Sequence, residues 1–198
     1  MKNDLKKVIK DFGDIKFIKL VERLNTPKKI QDWLDSVPIN FEEDGETYLS
    51  PIKVFELNKA HCFEGACFAL VCLTYHKRVA FLLDLKAMKQ DQDHTVLLFK
   101  EKSGWGAISK TNHPVLRWRD PIYKNSGEVA LSYFHEYFLK DGTKSLVSFS
   151  SPFDVFKIFG TGWAVGNDEL DEIAERLDKS PHTLFINKKD RGLLRKAS

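Results

Sequence analysis

Three cysteines and six histidines carry most of the nucleophilic chemistry open to this 198-residue chain. One cysteine stands where a thiol is useful. The stretch Asn58-Lys59-Ala60-His61-Cys62-Phe63-Glu64-Gly65-Ala66-Cys67-Phe68-Ala69-Leu70-Val71-Cys72 reads as a loop entering a helix, with Cys62 at the entrance. The first N–H groups of a helix have no internal partner, and the macrodipole leaves partial positive charge there. Both effects favour thiolate over thiol, and the same N–H groups can hold an oxyanion once the sulfur attacks an acyl carbon. Gly65, Ala66 and Ala69 share the face of Cys62, so the helix can pack close against a sheet. The competing reading is a buried structural cysteine in a core helix. A working thiol also needs a base within hydrogen-bond reach and a group to orient that base.

The elements around this stretch are set by periodicity and breakers. Residues 14–24 space their apolar side chains as a helix does. Thr26-Pro27 starts a second helix, which Pro38 ends. Together these predict an N-terminal helical cover over 1–49 with no chemistry of its own, in which Trp33 packs. Residues 42–46 form an exposed acidic turn, and Ser50-Pro51 opens a short helix before the Cys62 helix, which runs to about His76. Residues 78–85 are a nearly continuous apolar run, as in a central strand. Residues 94–99 and 105–110 are two further strands in antiparallel hairpins. Residues 117–121 read as a charged aromatic loop, 126–139 as an amphipathic helix, and Ser151-Pro152 as the start of a short helix closed by Gly160 and Gly162. Asn167 caps a helix over 168–178, residues 183–186 suit an edge strand, and the basic stretch from Lys188 reads as a mobile tail. The fold class is α+β: an antiparallel sheet packed on a Cys-bearing helix, with extra helices at both ends. The chain is one domain of three parts: the cover, a core over 50–150, and a C-terminal extension over 151–198.

Bulk properties narrow the function. A 42% hydrophobic, 30% charged chain is ordinary for a globular protein, and the net charge of +3 comes partly from basic clusters near the two ends, Lys2 to Lys10 and Lys188 to Lys196. No nucleic-acid motif accompanies those clusters, so nucleic acid is not an expected partner. A polar N-terminus and the lack of any long apolar window predict no secretory signal and no membrane span. An odd number of closely spaced cysteines argues for a reducing, cytoplasmic setting.

The order of elements is informative as a set. A helix opening on cysteine, a strand, a strand opening on Asp93-His94-Thr95-Val96, and a Gly104-Trp105 turn into another strand resemble the transglutaminase-like cysteine superfamily, whose core is similar to the papain-like fold. Trp105 falls eleven residues after His94, and the resemblance covers about residues 58–112. It implies Cys62 as nucleophile, His94 as base, and an acidic third residue four positions beyond the tryptophan. Here that position is Ser109, which can accept a hydrogen bond from the imidazole but brings no charge. Asn112 is the alternative orienter, since an amide serves in papain-like enzymes; Asp93, Asp120 or another carboxylate reaching in from elsewhere is a further one. The resemblance implies a thiol-dependent hydrolase or acyltransferase acting on an amide or ester bond of a peptide, protein or small amide, with no cofactor. The alternative is an inactive scaffold of the same fold that binds a protein or peptide. Trp105 either shields the site or packs in its hairpin.

The remaining reactive residues have blander readings. Cys72 and His76 have zinc-ligand spacing, with His61, Cys62 and Cys67 as further donors, yet no short two-cysteine knuckle is present and no metal is expected. His113 is a loop histidine. Arg117, Arg119 and Asp120 around Trp118 suit a salt-bridge corner. His135-Glu136, between Tyr133 and Tyr137, lacks the second histidine of a metalloprotease motif.

Overall fold

The structure is a computed structural model that describes residues 4–43 and 45–197. Lys2 of the N-terminal basic cluster and Asp44 of the acidic turn lie outside the described residues. Six strands form one sheet: β1 (Ala80–Ala87), β2 (His94–Lys100), β3 (Trp105–Ile108), β4 (Trp118–Tyr123), β5 (Leu146–Ser150) and β6 (His182–Leu184). Their spatial order is β4-β3-β2-β1-β5-β6, and every pairing is antiparallel. The fold is therefore α+β on an antiparallel sheet. The continuous apolar run of β1 has its reason in this order, because β1 lies between β2 and β5 with both faces covered.

The helices are α1 (Leu5–Phe12), α2 (Ile15–Arg23), α3 (Pro27–Ser36), α4 (Pro51–Leu57), α5 (Cys62–Tyr75), α6 (Ser126–Leu131), α7 (Val155–Phe159) and α8 (Asp171–Asp178). Every residue of α5 from Phe63 to Tyr75 is buried. A helix apolar all round must lie inside. One sheet face, with Leu82, Leu97, Phe99 and Ile108, shares a core with Phe68 and Leu70 of α5 and with α1–α4. The opposite face, with Leu83, Leu85, Val96 and Leu98, is covered by Leu116, Val129, Tyr133 and Phe134. Gly65 marks how tightly α5 is fitted. A Cβ there would stand 2.6 Å from the Cβ of Lys110, just past β3.

Local chemistry sets the helix ends. Asp14 caps α2 by accepting from the Lys16 and Phe17 amides at 2.8 and 2.9 Å. Thr26 caps α3, Pro27 is its first residue, and Val37 before Pro38 is extended. The last carbonyls of that stretch, Leu34 and Val37, accept from the buried Lys110 ammonium, a cation placed where the dipole favours one. Burial holds the Lys110 pKa below its ordinary value.

Several segments differ from the sequence reading. Lys6, Lys7 and Lys10 sit on a helix, α1, because Leu5 and Ile9, one turn apart, are both buried. Residues 118–123 are an edge strand rather than a loop; Pro121 is tolerated there because an edge strand has one unpaired side. The salt-bridge corner is absent: Arg119 stacks on Tyr133 at 3.9 Å, Asp120 accepts from the Trp118 indole, and Arg117 reaches Asp35 at 3.8 Å. The helix from Ser126 ends at Leu131, after which Tyr133, Phe134 and Glu136 donate to carbonyls three residues back, as in successive tight turns. Strand β5 is visible only in three dimensions, because Ser148 and Ser150 occupy its buried positions and mask the alternation. Asp154, not Ser151, caps α7, which ends at Gly160 with φ +69°. The last helix begins at Asp171, with Leu170 and not Asn167 before it. The basic tail turns back on the sheet, where Arg191 donates to the Lys144 carbonyl at 2.7 Å.

Candidate active site

Cys62 is the first residue of α5, and His61 is its N-cap. Around this end the sequence builds a capping box. The His61 amide donates to Glu64 Oε2 at 2.9 Å, and the Phe63 amide approaches His61 Nδ1 at 3.3 Å. A bridge between Ile39 and Ala60 holds the preceding strand segment alongside, which brings Asn40 and Thr47 over the same turn. Glu64 is fully buried and saturated with donors. It accepts from Asn40 Nδ2 at 3.2 and 3.1 Å, Thr47 Oγ1 at 2.9 Å and the Leu49 amide at 3.0 Å. Burial alone would raise its pKa, but His61 and these amide donors hold it below the usual carboxylate range.

His94 opens β2 and is buried, with Nε2 at 2.6 Å from Ser109 Oγ. That serine comes just after β3, whose pairing with β2 returns the chain to the His94 end of the sheet. Its backbone is clamped by Gln31 of α3: the Ser109 amide donates to Gln31 Oε1 at 3.0 Å, and Gln31 Nε2 donates to the Ser109 carbonyl at 2.9 Å. The N-terminal helices therefore do more than cover the core, since α3 fixes the residue that meets His94. Ser109 leaves Nδ1 as the ring nitrogen available to Cys62.

The thiol itself is half-buried and lies beside the imidazoles of His61 and His94. Burial pushes its pKa up. The two imidazoles and their charges more than reverse this, and the Cys62 pKa is held down to about 5. Burial likewise works against a charged His61, but Cys62 and Glu64 raise its pKa to about 11. Such neighbours favour the thiolate over the thiol at neutral pH. It opens on a groove of about 1320 Å³ whose wall includes His61, Cys62, His94, Asn112 and Tyr137.

The structure separates the other sequence candidates. Ser109 meets the imidazole, while Asn112 is exposed on the groove wall. Asp93 accepts from the Ala87 amide at 2.7 Å, and Asp120 is tied to Trp118. His113 is exposed on the same wall as Asn112. Trp105 does not shield the thiol. It pairs with Lys100 at the turn of the β2–β3 hairpin, six residues along the strand from His94, or roughly 20 Å. There it packs against Phe81 and under the Lys100 ammonium. Cys67 and Cys72 are buried in the core with pKa values pushed up by desolvation, and His76 Nε2 bonds to the Val21 carbonyl. Among the described residues, three ligand-type side chains converge at Asp84, Asp93 and Asp178, each of them already engaged, Asp84 with His182 and Asp178 with Lys86. The residues that sequence reading undervalued are His61, Glu64 and Gln31. The signal for the first pair was available: a glutamate three residues after an N-cap position is the capping-box spacing.

No protein-family model matches this chain, nor does any curated protein sequence. Among solved structures, "Legionella pneumophila LapG (EGTA-treated)" is similar over 83% of this chain and 95% of its own, at a TM-score of 0.41 and 10% identity. A likeness of that size carries no functional argument. Among the described residues no helix is long and apolar enough to cross a membrane.

Proposed function

We propose that the protein is a thiol-dependent hydrolase or acyltransferase acting on an amide or ester bond, with Cys62 as nucleophile and His94 as its proton carrier. One observation carries this reading: a groove-lining thiol at a helix N-terminus, set beside a buried histidine that helps hold its pKa down. His94 Nδ1 takes the proton from Cys62. The thiolate adds to the carbonyl carbon, and the polarised start of α5 stabilises the oxyanion. As the tetrahedral adduct collapses, His94 returns the proton to the leaving amine or alcohol, which leaves a thioester on Cys62. His94 then accepts a proton from water, which displaces the acyl group as an acid, or from an amine, which carries it away as an amide. Ser109 receives the Nε2 proton as a hydrogen bond and keeps the ring in this orientation, the part we assign to the third residue. We assign Asn112 a place on the substrate wall.

The substrate is a peptide, protein or small amide that extends along the groove. Three unpaired thiols, two of them buried, fit a reducing compartment such as the cytoplasm. The scaffold alternative draws on a single feature, the uncharged serine where His94 would gain most from a carboxylate.

Turnover separates the two. A library of peptidyl-coumarin amides should be cleaved by the intact protein, with loss of about 10³-fold or more in Cys62→Ala and His94→Ala, a typical scale for removal of a nucleophile or its base. Cleavage that persists in Cys62→Ala sinks the enzyme reading. If the intact protein cleaves nothing and its three thiols alkylate at similar rates, the scaffold stands.

A further inference from the structure

The capping box at the start of α5 contains more charge than a helix end requires. Serine, threonine or asparagine would cap it without burying a carboxylate. Here the cap is an imidazole, and the box partner, Glu64, is fully buried. A buried carboxylate needs a cation as well as donors. His61 is the cation within reach, with Nε2 3.3 Å from Glu64 Oε1 and 3.7 Å from Glu42 Oε1.

The acceptors fix the tautomer. Nε2 lies 2.8 Å from the Thr47 carbonyl oxygen and faces the two carboxylates, all of which only accept, so Nε2 carries a proton in every state. Protonation of the ring then concerns Nδ1. A proton on Nδ1 costs the hydrogen bond that this nitrogen accepts from the Phe63 amide, a long one at 3.3 Å.

We propose that His61 is a second imidazole of the reaction: kept charged by Glu64, it stands next to the Cys62 thiolate and supplies the electrostatic stabilisation that Ser109, lacking charge, cannot give through His94. This role rests on the enzyme reading and deepens it. His61 keeps both protons throughout; the proton that moves is the one exchanged between Cys62, His94 and the leaving group. His61 and Glu64 then form a fixed charged pair beside the thiol. Other groups around the ring act in the same direction or are neutral. Glu42 adds a carboxylate, Tyr48 presents its ring edge with its hydroxyl bound to Glu46, and Phe63 stacks on the imidazole. The raised His61 pKa agrees with this arrangement.

The test is the pH dependence of Cys62 alkylation by iodoacetamide, with the labelled site located by mass spectrometry, in the native protein, His61→Asn and His94→Ala. Asparagine is a favoured N-cap, so the helix end survives while the charge is lost. The His61→Asn midpoint should rise by roughly 1–3 units, the usual effect of an opposite charge within contact distance. In parallel, ¹⁵N chemical shifts of the His61 ring at pH 8 should report both nitrogens protonated. A midpoint in His61→Asn equal to the native one, or a neutral His61 ring at pH 8, overturns the proposal. In that event the enzyme reading survives as long as the native thiol is acidic and amide cleavage needs His94. An ordinary thiol midpoint in the native protein overturns both.

Discussion

One helix carries three cysteines in opposite electrostatic states. At its entrance Cys62 meets two imidazoles and its pKa falls to about 5, whereas Cys67 and Cys72, one and three turns further in, are surrounded by hydrocarbon and their pKa values rise. All three pay for burial; only the first has imidazoles beside it in return. The contrast shows that a thiol's reactivity here depends on what the neighbouring segments deliver to it. Those segments are the capped turn with Glu64 on one side and the start of β2 on the other.

The largest expected effect sharpens this contrast directly. At pH 7 iodoacetamide should label Cys62 at least about a hundredfold faster than Cys67 or Cys72, because only Cys62 is both accessible and ionised. Equal labelling would remove the distinction. The lowered pKa sets the sign with pH. Labelling of Cys62 should be flat from pH 7 upward and fall as pH drops through about 5, whereas in denaturant all three thiols should titrate near the ordinary value of about 8.5. For stability, the Cys62 contribution is complete only above the unfolded thiol pKa and is lost as pH falls through the folded one. The raised His61 pKa works the other way. Its contribution is complete below about 6.5 and is lost as pH rises toward about 11.

Next in size is Gly65→Ala. The added methyl group would meet the Lys110 Cβ at 2.6 Å, an atom close to the backbone that cannot swing aside. Overpacking of this kind costs about 1–3 kcal/mol, and a thermal melt should show it. Gln31→Leu probes the other wall. It leaves the buried Ser109 amide and carbonyl without partners, at about 1–3 kcal/mol of stability. Amide turnover should fall with it, because Ser109 then loses its position under His94. If stability drops while kcat per folded molecule is unchanged, α3 is only a cover. The smallest effect belongs to Trp105→Phe. It should leave the Cys62 midpoint where it was, since the ring packs at the far end of the hairpin.

Local pattern made much of the frame readable. Cap-plus-proline signals marked α3 and α4, and the continuous apolar run marked the central strand. The helix that opens on Cys62 and the strand that opens on His94 stand where periodicity put them. What was not readable had specific causes. Serines at the inward positions hid β5, and an edge position let Pro121 sit in a strand that composition read as a loop. The lysines of α1 obscured two buried apolar residues one turn apart. Trp105 was ambiguous because its spacing from His94 does not say what its ring packs against.

By itself the sequence determined a thiol at the first turn of an apolar helix and a histidine at the head of a strand, since short-range periodicity and capping dictate both. Only the tertiary structure decided which groups surround that thiol. Gln31 reaches Ser109 across 78 residues of chain, and Asn40 and Thr47 descend on Glu64 from a separate segment. A buried charge is stable only where distant donors converge on it, and that convergence is a property of packing, which no local window of residues encodes.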